Sequence, residues 1–238
     1  MSVTPNHHET IKFLETFRPG GPWVLTAIHV DRRIETATFT DSEAALEWLV
    51  RYNDRNHYFM ANPATRKLNK KGKKTDIKEM THLHVDLDPR AGHDLEDERR
   101  LILSKLENPP GGLPKPSCVV FSGGGYQAYW FLEEPVPVCG DEIAAEEAAR
   151  YNKQLQLLFG GTADSTHNVD RITRLPGTIN WPDENKKKKG REVSLAQVVC
   201  LHPELKYPIS TFTRRWCPRP LATAIRRTRR WTPPTCGD

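Results

Sequence analysis

The sequence predicts a mixed α/β protein. Two kinds of run alternate along the chain: β-rich or strictly alternating apolar runs typical of strands, and longer runs with apolar residues every three to four positions typical of helices. With 238 residues, of which 37% are hydrophobic and 27% charged, the chain can bury one substantial core or two small subdomains that share a cleft.

The N-terminal part predicts a hairpin, a helix and a third strand. The β-rich runs Trp23 to Val30 and Ile34 to Thr40 flank a short polar turn. A helix is expected to begin near Thr40 to Ser42, and His57 to Ala61 is expected to return as a strand. The face that this helix should bury consists of Ala44, Ala45, Trp48, Leu49 and Tyr52.

The run Thr81 to Asp88 (THLHVDLD) predicts a strand, because apolar and polar residues alternate strictly along it. One face should carry Leu83, Val85 and Leu87 into the core. The opposite face should carry His82, His84, Asp86 and Asp88.

Asp86 and Asp88 are the first candidates for chemistry. Two positions apart on a strand, they lie about 7 Å apart along the backbone, so their carboxylates can converge on shared cations. Like charges at this separation raise each other's pKa, and Mg²⁺ or Mn²⁺ would neutralise them. A solvent-exposed strand end with two acids is the alternative, because D-x-D alone is a common pattern.

The remaining elements follow from the same periodicities and from glycine and proline breaks. We expect a helix at Leu95 to Glu107, two strands within Ser117 to Leu132 joined at Gly123 to Gly125, a helix from Asp141 to Gly160, and strand-like runs at Arg171 to Asn180 and Glu192 to Val199.

Two later motifs support a catalytic interpretation of Asp86 and Asp88. Ser122 to Trp130 (SGGGYQAYW) places three glycines between strands, where backbone N–H groups can approach a phosphate, although a plain glycine hairpin would look the same. Ala163 to Asn180 (ADSTHNVDRITRLPGTIN) combines further acids with two arginines and a Pro-Gly turn. Arginine suits a triphosphate because its fork binds pairs of oxygens and its charge persists.

Charge is concentrated in three acid-free stretches. Arg66 to Lys74, Lys186 to Arg191 and Arg214 to Arg230 hold 18 of the 35 basic residues, which leaves 17 basic against 30 acidic residues elsewhere. This distribution favours a polyanionic partner gripped at defined places over a solvated loop and an unstructured tail.

Other classes of function find little support. The five cysteines show no C-x-x-C pair or Cys-His spacing of a zinc site and are expected to be ordinary thiols. No apolar run approaches the ~20 residues that span a bilayer, and the polar N-terminus lacks a signal-peptide core. We therefore expect a cytoplasmic protein with no membrane partner.

The motifs HVDLDPR, SGGGYQAYW and AD…RLPGTIN followed by KKGR, in this order, resemble the archaeo-eukaryotic primase (AEP) superfamily, and within it the RepB-like primase-polymerases of plasmids and phages. The resemblance covers roughly Trp23 to Val199. It implies an AEP-type catalytic core with an RRM-like antiparallel or mixed sheet and a small N-terminal αβ subdomain. Residues 1–213 would form the catalytic domain, divided near residue 80, and 214–238 a basic Arg/Pro-rich tail or linker.

The resemblance also implies the metal ligands. The family's first motif, a hydrophobic residue and an acid repeated twice, falls on Val85 to Asp88 and makes Asp86 and Asp88 ligands of two Mg²⁺ or Mn²⁺ ions. The third ligand is expected to be Asp164, with Asp170 as the alternate, since each follows a hydrophobic residue upstream of the R-L-P-G turn.

Nucleotide and nucleic-acid contacts complete the expected site. The family usually has a histidine at the position of Gln127, which can donate a hydrogen bond but carries no charge. His84 is either a nucleotide contact or a histidine satisfied within the sheet. The full nucleotide-binding set is Ser122, Gly123, Gly124, Gly125, Gln127, Arg174, Asn180, Lys189, Arg191 and His84. The template backbone is expected on Arg66, Lys67, Lys70, Lys71, Lys73 and Lys74.

The sequence thus predicts a template-dependent DNA primase/polymerase, a nucleotidyltransferase that makes or extends primers from NTP or dNTP on a single-stranded DNA template. A monomer is expected, from a plasmid, phage or other mobile element, with a helicase fused or acting in trans as a further expected partner. Two alternatives remain at this point: a catalytically silent replication initiator that binds single strands, and a two-metal nuclease.

Overall fold

A computed structural model describes residues 3–188 and 190–214. The helices are α1 His7–Phe17, α2 Ser42–Arg51, α3 Leu95–Glu107, α4 Glu142–Phe159 and α5 Glu184–Lys188. The strands are β1 Trp23–Ile28, β2 Ile34–Phe39, β3 Asn56–Met60, β4 Glu79–Leu87, β5 Cys118–Phe121, β6 Tyr126–Pro137, β7 Ile172–Arg174, β8 Ile179–Asn180, β9 Ser194–Leu195, β10 Gln197–Leu201 and β11 Lys206–Tyr207.

The strands form two main sheets, which confirms the mixed α/β class. The first sheet has the antiparallel order β2-β1-β3-β7. In the second, β6 lies between β4 and β5, β10 pairs with the outer edge of β5, and the short β11 runs parallel to β6 at Phe131 and Leu132. A small β8–β9 pair lies apart from both sheets.

Strand β7 links the two halves of the chain. It comes from the third motif, yet it pairs with β3 in the first sheet, so that Tyr58 lies opposite Arg174. The first sheet therefore contains strands from both sides of residue 80. A three-residue strand is too short for its partner to be inferred from local periodicity.

Both faces of the second sheet are buried. On one face, Leu83, Val85 and Leu87 of β4 pack in a cluster with residues of α3 and α4, such as Ile102 and Leu155. The other face turns toward the first sheet and α1. There His82 is buried with Phe17, Tyr129 and Phe131, whose rings lie 5.3, 5.4 and 6.5 Å from its own. Consequently only the C-terminal end of β4 opens to a cleft.

Some local expectations are corrected. Helix α1 was not predicted and buries Phe13 and Leu14, and α5 lies in a charged segment without apolar periodicity. Ala44 is exposed, because it lies in the first turn of α2, where its N–H donates to the capping Asp41. Cys118 and Cys200 are free, but Cys139 is disulfide-bonded, so the expectation of ordinary thiols is wrong there. Among the described residues, no helix is long and apolar enough to cross a membrane.

Asn62 ties β4 to the segment that follows α4. Its side-chain amide donates to the Val169 carbonyl at 2.9 Å, and its Oδ1 accepts from the Thr81 N–H at 3.0 Å. Since Asn62 is fully buried, water cannot replace either bond. The side chain therefore fixes the approach of the third motif to the strand that carries the first.

We expect Asn62→Ala to lower the free energy of unfolding by about 2–4 kcal/mol, because a buried N–H and a buried carbonyl would lose their partners. Asn108→Ala, at an exposed position after α3, is the control and should change stability by less than about 0.5 kcal/mol. Urea denaturation measures both. Equal stability of the two variants would contradict this role of Asn62.

Candidate active site

A cleft of about 610 Å³ opens where the ends of β3, β4 and β7 meet the β5–β6 hairpin. It gathers residues from all three sequence motifs and from the basic segment after β8. The predicted site residues that line it are Asp86, Asp88, Ser122, Gly124, Gln127, Asp164, Arg174, Asn180 and Arg191.

A short backbone bridge brings the third acid to the first two. The Asp164 N–H donates to the Asp86 carbonyl at 2.9 Å, and the Asp88 N–H donates to the Thr162 carbonyl at 2.8 Å. Leu87 and Ala163 pair as an isolated antiparallel bridge between these bonds. Residues 162–164 thus run along the edge of β4. The lining described here includes Asp164 but not Asp170, one of whose carboxylate oxygens is buried without a hydrogen bond to the described residues.

The three carboxylates interact strongly. Only 16% of the Asp86 side chain is exposed, against 45% of Asp88. Burial, and then the charge of Asp88, raises the pKa of Asp86 to about 7. The pKa of Asp164 is raised by burial and by Asp88 as well. Ionising all three groups in this cleft is therefore unfavourable unless a cation compensates.

Two guanidinium groups compensate in part. Arg171 Nη2 lies 3.9 Å from Asp86 Oδ2, and Arg191 Nη2 lies 3.7 Å from Asp88 Oδ1. Both distances are at the long end of an ion pair, so neither arginine is locked to its acid by a hydrogen bond. Arg171 is therefore available to a negatively charged ligand in the cleft, whereas Arg191 also donates through Nη1 to the Gly124 carbonyl.

The donor set is compatible with hard divalent cations, because three carboxylates without a soft ligand suit Mg²⁺ or Mn²⁺. Within residues 3–188 and 190–214, however, no three acidic, histidine or cysteine side chains are already arranged to hold a metal ion. The backbone places the three acids along the wall of one cleft. Their side chains would have to rotate to share a cation.

The glycines of the hairpin serve close packing. A Cβ atom on Gly125 would collide with the Leu87 carbonyl and the Asp88 carboxylate, and one on Gly124 would lie 2.9 Å from the Arg191 guanidinium. The Gly125 N–H is already used, since it donates to Ser122 Oγ at 3.2 Å. These glycines therefore let the hairpin lie directly against the acid-bearing end of β4.

Gln127 is a buried residue whose side chain holds neighbouring parts of the site in position. It pairs with Asp86 across the β4–β6 ladder, its side chain hydrogen-bonds Asp86, and its Oε1 accepts from the Arg174 N–H at 3.0 Å. The residue is 6% exposed. This glutamine thus holds an acid and β7 in place.

Arg174 is buried among uncharged partners. Its Nη1 donates to Asn56 Oδ1 at 2.8 Å, and its Nη2 donates to the Tyr58 hydroxyl at 3.0 Å and to Asn180 Oδ1 at 2.9 Å. Only 5% of the residue is exposed, whereas 40% of the Arg171 side chain is exposed. Arg171, which was not selected from the sequence, is therefore the more accessible arginine of this motif.

Other candidates lie elsewhere. The His84 ring bonds the Thr166 carbonyl through Nε2 at 2.9 Å and Asn152 Nδ2 through Nδ1 at 3.2 Å, so it is satisfied inside the fold and does not line the cleft. Lys189 lies outside the described residues. Among the described residues that line the cleft, none comes from the basic loop Arg66 to Lys74. Arg66 pairs instead with Asp76 at 2.7 Å, and Lys74 pairs with Glu146 at 3.0 Å. The other basic residues of this loop are exposed: Lys67, Lys70, Lys71 and Lys73.

The cleft contains further residues that the sequence did not single out. Those with polar or charged side chains are Tyr58, Arg90, His93, Arg171 and Lys186. Arg171 and Lys186 lie in segments that were already candidates, so their charge was a usable signal. Tyr58 carried no such signal, because it reaches the cleft only through the pairing of β3 with β7.

The three acids lie at the C-terminal end of β4, a strand at the edge of the second sheet that pairs with β6. Two solved structures of primases are similar to this chain in fold. The crystal structure of primase RepB' matches with a TM-score of 0.53 at 14% identity, covering 83% of this chain and 57% of that one. The catalytic domain of primase RepB' in complex with initiator DNA matches with a TM-score of 0.50 at 15% identity, covering 83% and 86%.

These matches confirm the expected RepB-like primase fold. At such low identity it is the fold that is shared, and the chain spans little more than half the length of primase RepB'. No protein-family model matches the sequence, and a search of curated proteins found no relative.

We expect Gly125→Ala to destabilise the protein by about 1–3 kcal/mol, because the added methyl group meets the backbone of β4. Gly161→Ala is the matched control, since its Cβ would find only Arg90 Cδ at 3.9 Å, an ordinary contact. Thermal or urea denaturation compares them. A Gly125→Ala protein as stable as the control would show that the hairpin does not press on β4.

The raised pKa of Asp86 predicts how the stability of the folded protein depends on pH in metal-free buffer. The folded protein holds this proton up to about pH 7, whereas the unfolded chain releases it near pH 4, so Asp86 lowers stability as pH rises through this window. Asp86→Asn should therefore be more stable than the wild type at pH 8 with a chelator present, and the difference should vanish near pH 4. Asp97→Asn, at an exposed helical position, controls for net charge. A constant difference at all pH values would contradict the shift.

Proposed function

We propose that this protein is a template-dependent DNA primase-polymerase, a nucleotidyltransferase that joins nucleotides on a single-stranded DNA template. The observation that carries the proposal is the bridge between β4 and residues 162–164, which delivers Asp164 to the cleft beside Asp86 and Asp88. Support comes from the fold shared with primase RepB', whose catalytic domain has been solved in complex with initiator DNA.

In this proposal Asp86, Asp88 and Asp164 hold two Mg²⁺ or Mn²⁺ ions. When bound, such ions neutralise charge on the attacking and leaving oxygens of phosphoryl transfer. The chain itself sets the pKa of Asp86 through burial and positions its carboxylate through Gln127. Because Asp86 is protonated below about pH 7, cation binding should weaken as pH falls.

The two arginines of the third motif have different tasks in this scheme. Arg171 is accessible and only 3.9 Å from Asp86, so it can contact the phosphates of a nucleotide held against the acids. Arg174 donates hydrogen bonds to Asn56, Tyr58 and Asn180. It therefore positions β3, β7 and β8 around the cleft. Arg191 reaches from the basic segment to Asp88, and while its Nη1 donates to the Gly124 carbonyl, its Nη2 is the second phosphate contact.

Substitution of the two arginines should separate these tasks. Arg171→Ala should reduce kcat/KM for nucleotide at least about 10-fold, the loss of a charged hydrogen bond, with little change in stability. Arg174→Ala should lower stability by about 2 kcal/mol or more, because the buried Asn56 and the half-buried Tyr58 and Asn180 lose a charged hydrogen-bond partner. Primer extension and urea denaturation of each variant test this. The reverse pattern would assign phosphate binding to Arg174.

Nucleotide incorporation tests the activity directly. Wild type and the Asp86→Asn/Asp88→Asn double variant are compared on single-stranded templates, with and without primer, with NTP or dNTP, in Mg²⁺ and in Mn²⁺. We expect products that require template and metal and that vanish in the double variant. Products in the unprimed reactions would identify a primase. No product under any condition, with single-strand binding intact, would contradict polymerisation.

One observation favours a second candidate, a silent initiator that binds single strands. Where the family has a histidine, Gln127 has no charge and is committed to Asp86 and Arg174. Binding without extension would identify this function. A two-metal nuclease would instead hydrolyse the template without added nucleotides. We rank it lower, because such an enzyme has no need for a glycine hairpin and an arginine-bearing loop beside the acids.

A further inference from the structure

A second cavity, of about 630 Å³, lies on the opposite face of the β5–β6 hairpin from the cleft. We call it the hairpin pocket. One wall is the N-terminal half of α3, the floor is the aromatic base of the hairpin, and the other wall is the edge strand β10. The residues that define it are Glu96, Arg99, Phe121, Tyr126, Gln197 and Val198.

The hairpin is a partition between the two cavities. Gln127 and Ser122 line the cleft, whereas their neighbours Tyr126 and Phe121 line the hairpin pocket. This division follows from the alternation of side chains on a strand. The tip of the hairpin, Gly123 to Gly125, lies between the two sides, and Arg191 and Ser194 donate hydrogen bonds to its carbonyl groups. A DNA strand that leaves the cleft across this tip and the side chains on it would reach the hairpin pocket.

The floor of the pocket offers flat surfaces. The Phe121 and Tyr126 rings lie 5.4 Å apart, and the Arg99 guanidinium lies 5.2 Å from the centre of the Phe121 ring. Arg99 also donates to Glu96 at 2.5 Å, while its Nε is buried without a hydrogen-bond partner in the described part of the chain. A guanidinium plane held over an aromatic ring is a surface on which a nucleobase can stack.

The charges of the lining select against phosphate. Glu9 and Glu96 place two carboxylates in the pocket against the single guanidinium of Arg99. The uncharged polar groups of the lining include the Tyr126 hydroxyl and the amides of Asn6 and Gln197, and the amides can pair with the edge of a base. The volume lies within the range typical of small-ligand sites. A flat, uncharged ring with hydrogen-bonding edges fits these walls better than a phosphate does.

We propose that the hairpin pocket binds an unpaired nucleobase of the single DNA strand whose neighbouring nucleotides occupy the cleft. The proposal rests on the proposed function, since it requires a DNA strand in the cleft. Stacking on protein side chains tolerates any base, so the aromatic floor and Arg99 would hold the template whatever its sequence, and any preference among bases would come from the amides.

The chain provides a matched control for Arg99. Arg99 and Arg100 are adjacent on α3, and each pairs with an acid three residues earlier, at 2.5 and 2.6 Å. Arg99 lines the pocket with 21% of its side chain exposed, whereas Arg100 points to solvent with 76% exposed. Substituting either one removes one positive charge and one helical ion pair, but only one substitution changes the pocket.

The test is the affinity for single-stranded oligonucleotides, measured by fluorescence anisotropy without metal or nucleotide. An oligonucleotide of normal bases is compared with one of equal length that carries abasic sites. Wild type and Arg100→Ala should prefer the normal oligonucleotide about 10-fold, the scale of one stacked base. Arg99→Ala should lose most of this preference. Gln197→Ala, at an exposed position of β10, is a second variant and should reduce the preference in part.

The outcomes separate this inference from the proposed function. If Arg99→Ala and Gln197→Ala keep the full preference for normal bases while wild type extends primers, the pocket is not a base site and the proposed function stands. If Arg99→Ala and Arg100→Ala weaken binding equally on both oligonucleotides, only net charge matters and the inference is wrong. If wild type neither binds single strands nor incorporates nucleotides, both proposals fail.

Discussion

The site depends on two backbone hydrogen bonds between the end of β4 and residues 162–164. They join the Asp164 N–H to the Asp86 carbonyl and the Asp88 N–H to the Thr162 carbonyl. Through them, acids from distant parts of the chain reach one cleft, although their charges repel. Backbone bonds suit this purpose because they do not involve the carboxylates, which remain free to bind a ligand.

A buried polar network closes the other side of the cleft. Arg174 bonds Asn56, Tyr58 and Asn180, and Asn180 Nδ2 donates in turn to the Ser122 carbonyl of the hairpin at 3.0 Å. Gln127 joins this network to Asp86 through its bonds to the acid and to the N–H of Arg174. The first sheet, the hairpin and the acid-bearing strand are thus linked by hydrogen bonds whose loss in a buried setting is costly.

Sequence patterns predicted the parts of this structure that have a local signature. Alternation identified β4, and helical periodicity with capping residues identified α3 and α4 close to their observed ends. Long-range pairings of two or three residues leave no such signature. For this reason the pairing of β7 with β3, and with it the place of Tyr58 in the cleft, could not be anticipated.

Side-chain roles were harder to infer than positions. The alternation that put His84 on the face of the acids was correct, but other elements cover this face at His84, and it opens to the cleft only at the end that carries Asp86 and Asp88. Arg174, in the R-L-P-G turn, was selected from the sequence and Arg171 was not, whereas their burial makes Arg171 the more accessible of the two. The glycines were expected to admit phosphate, whereas their contacts show that they admit β4 and Arg191.

The most direct test of the central claim is Mn²⁺ binding followed by electron paramagnetic resonance in the presence of dNTP. If the bridge makes Asp164 the third ligand, Asp164→Asn should weaken Mn²⁺ binding at least about 10-fold, as expected when a metal ligand is lost, while Asp170→Asn should bind as the wild type does. Normal binding by Asp164→Asn together with loss of binding in Asp170→Asn would contradict the account.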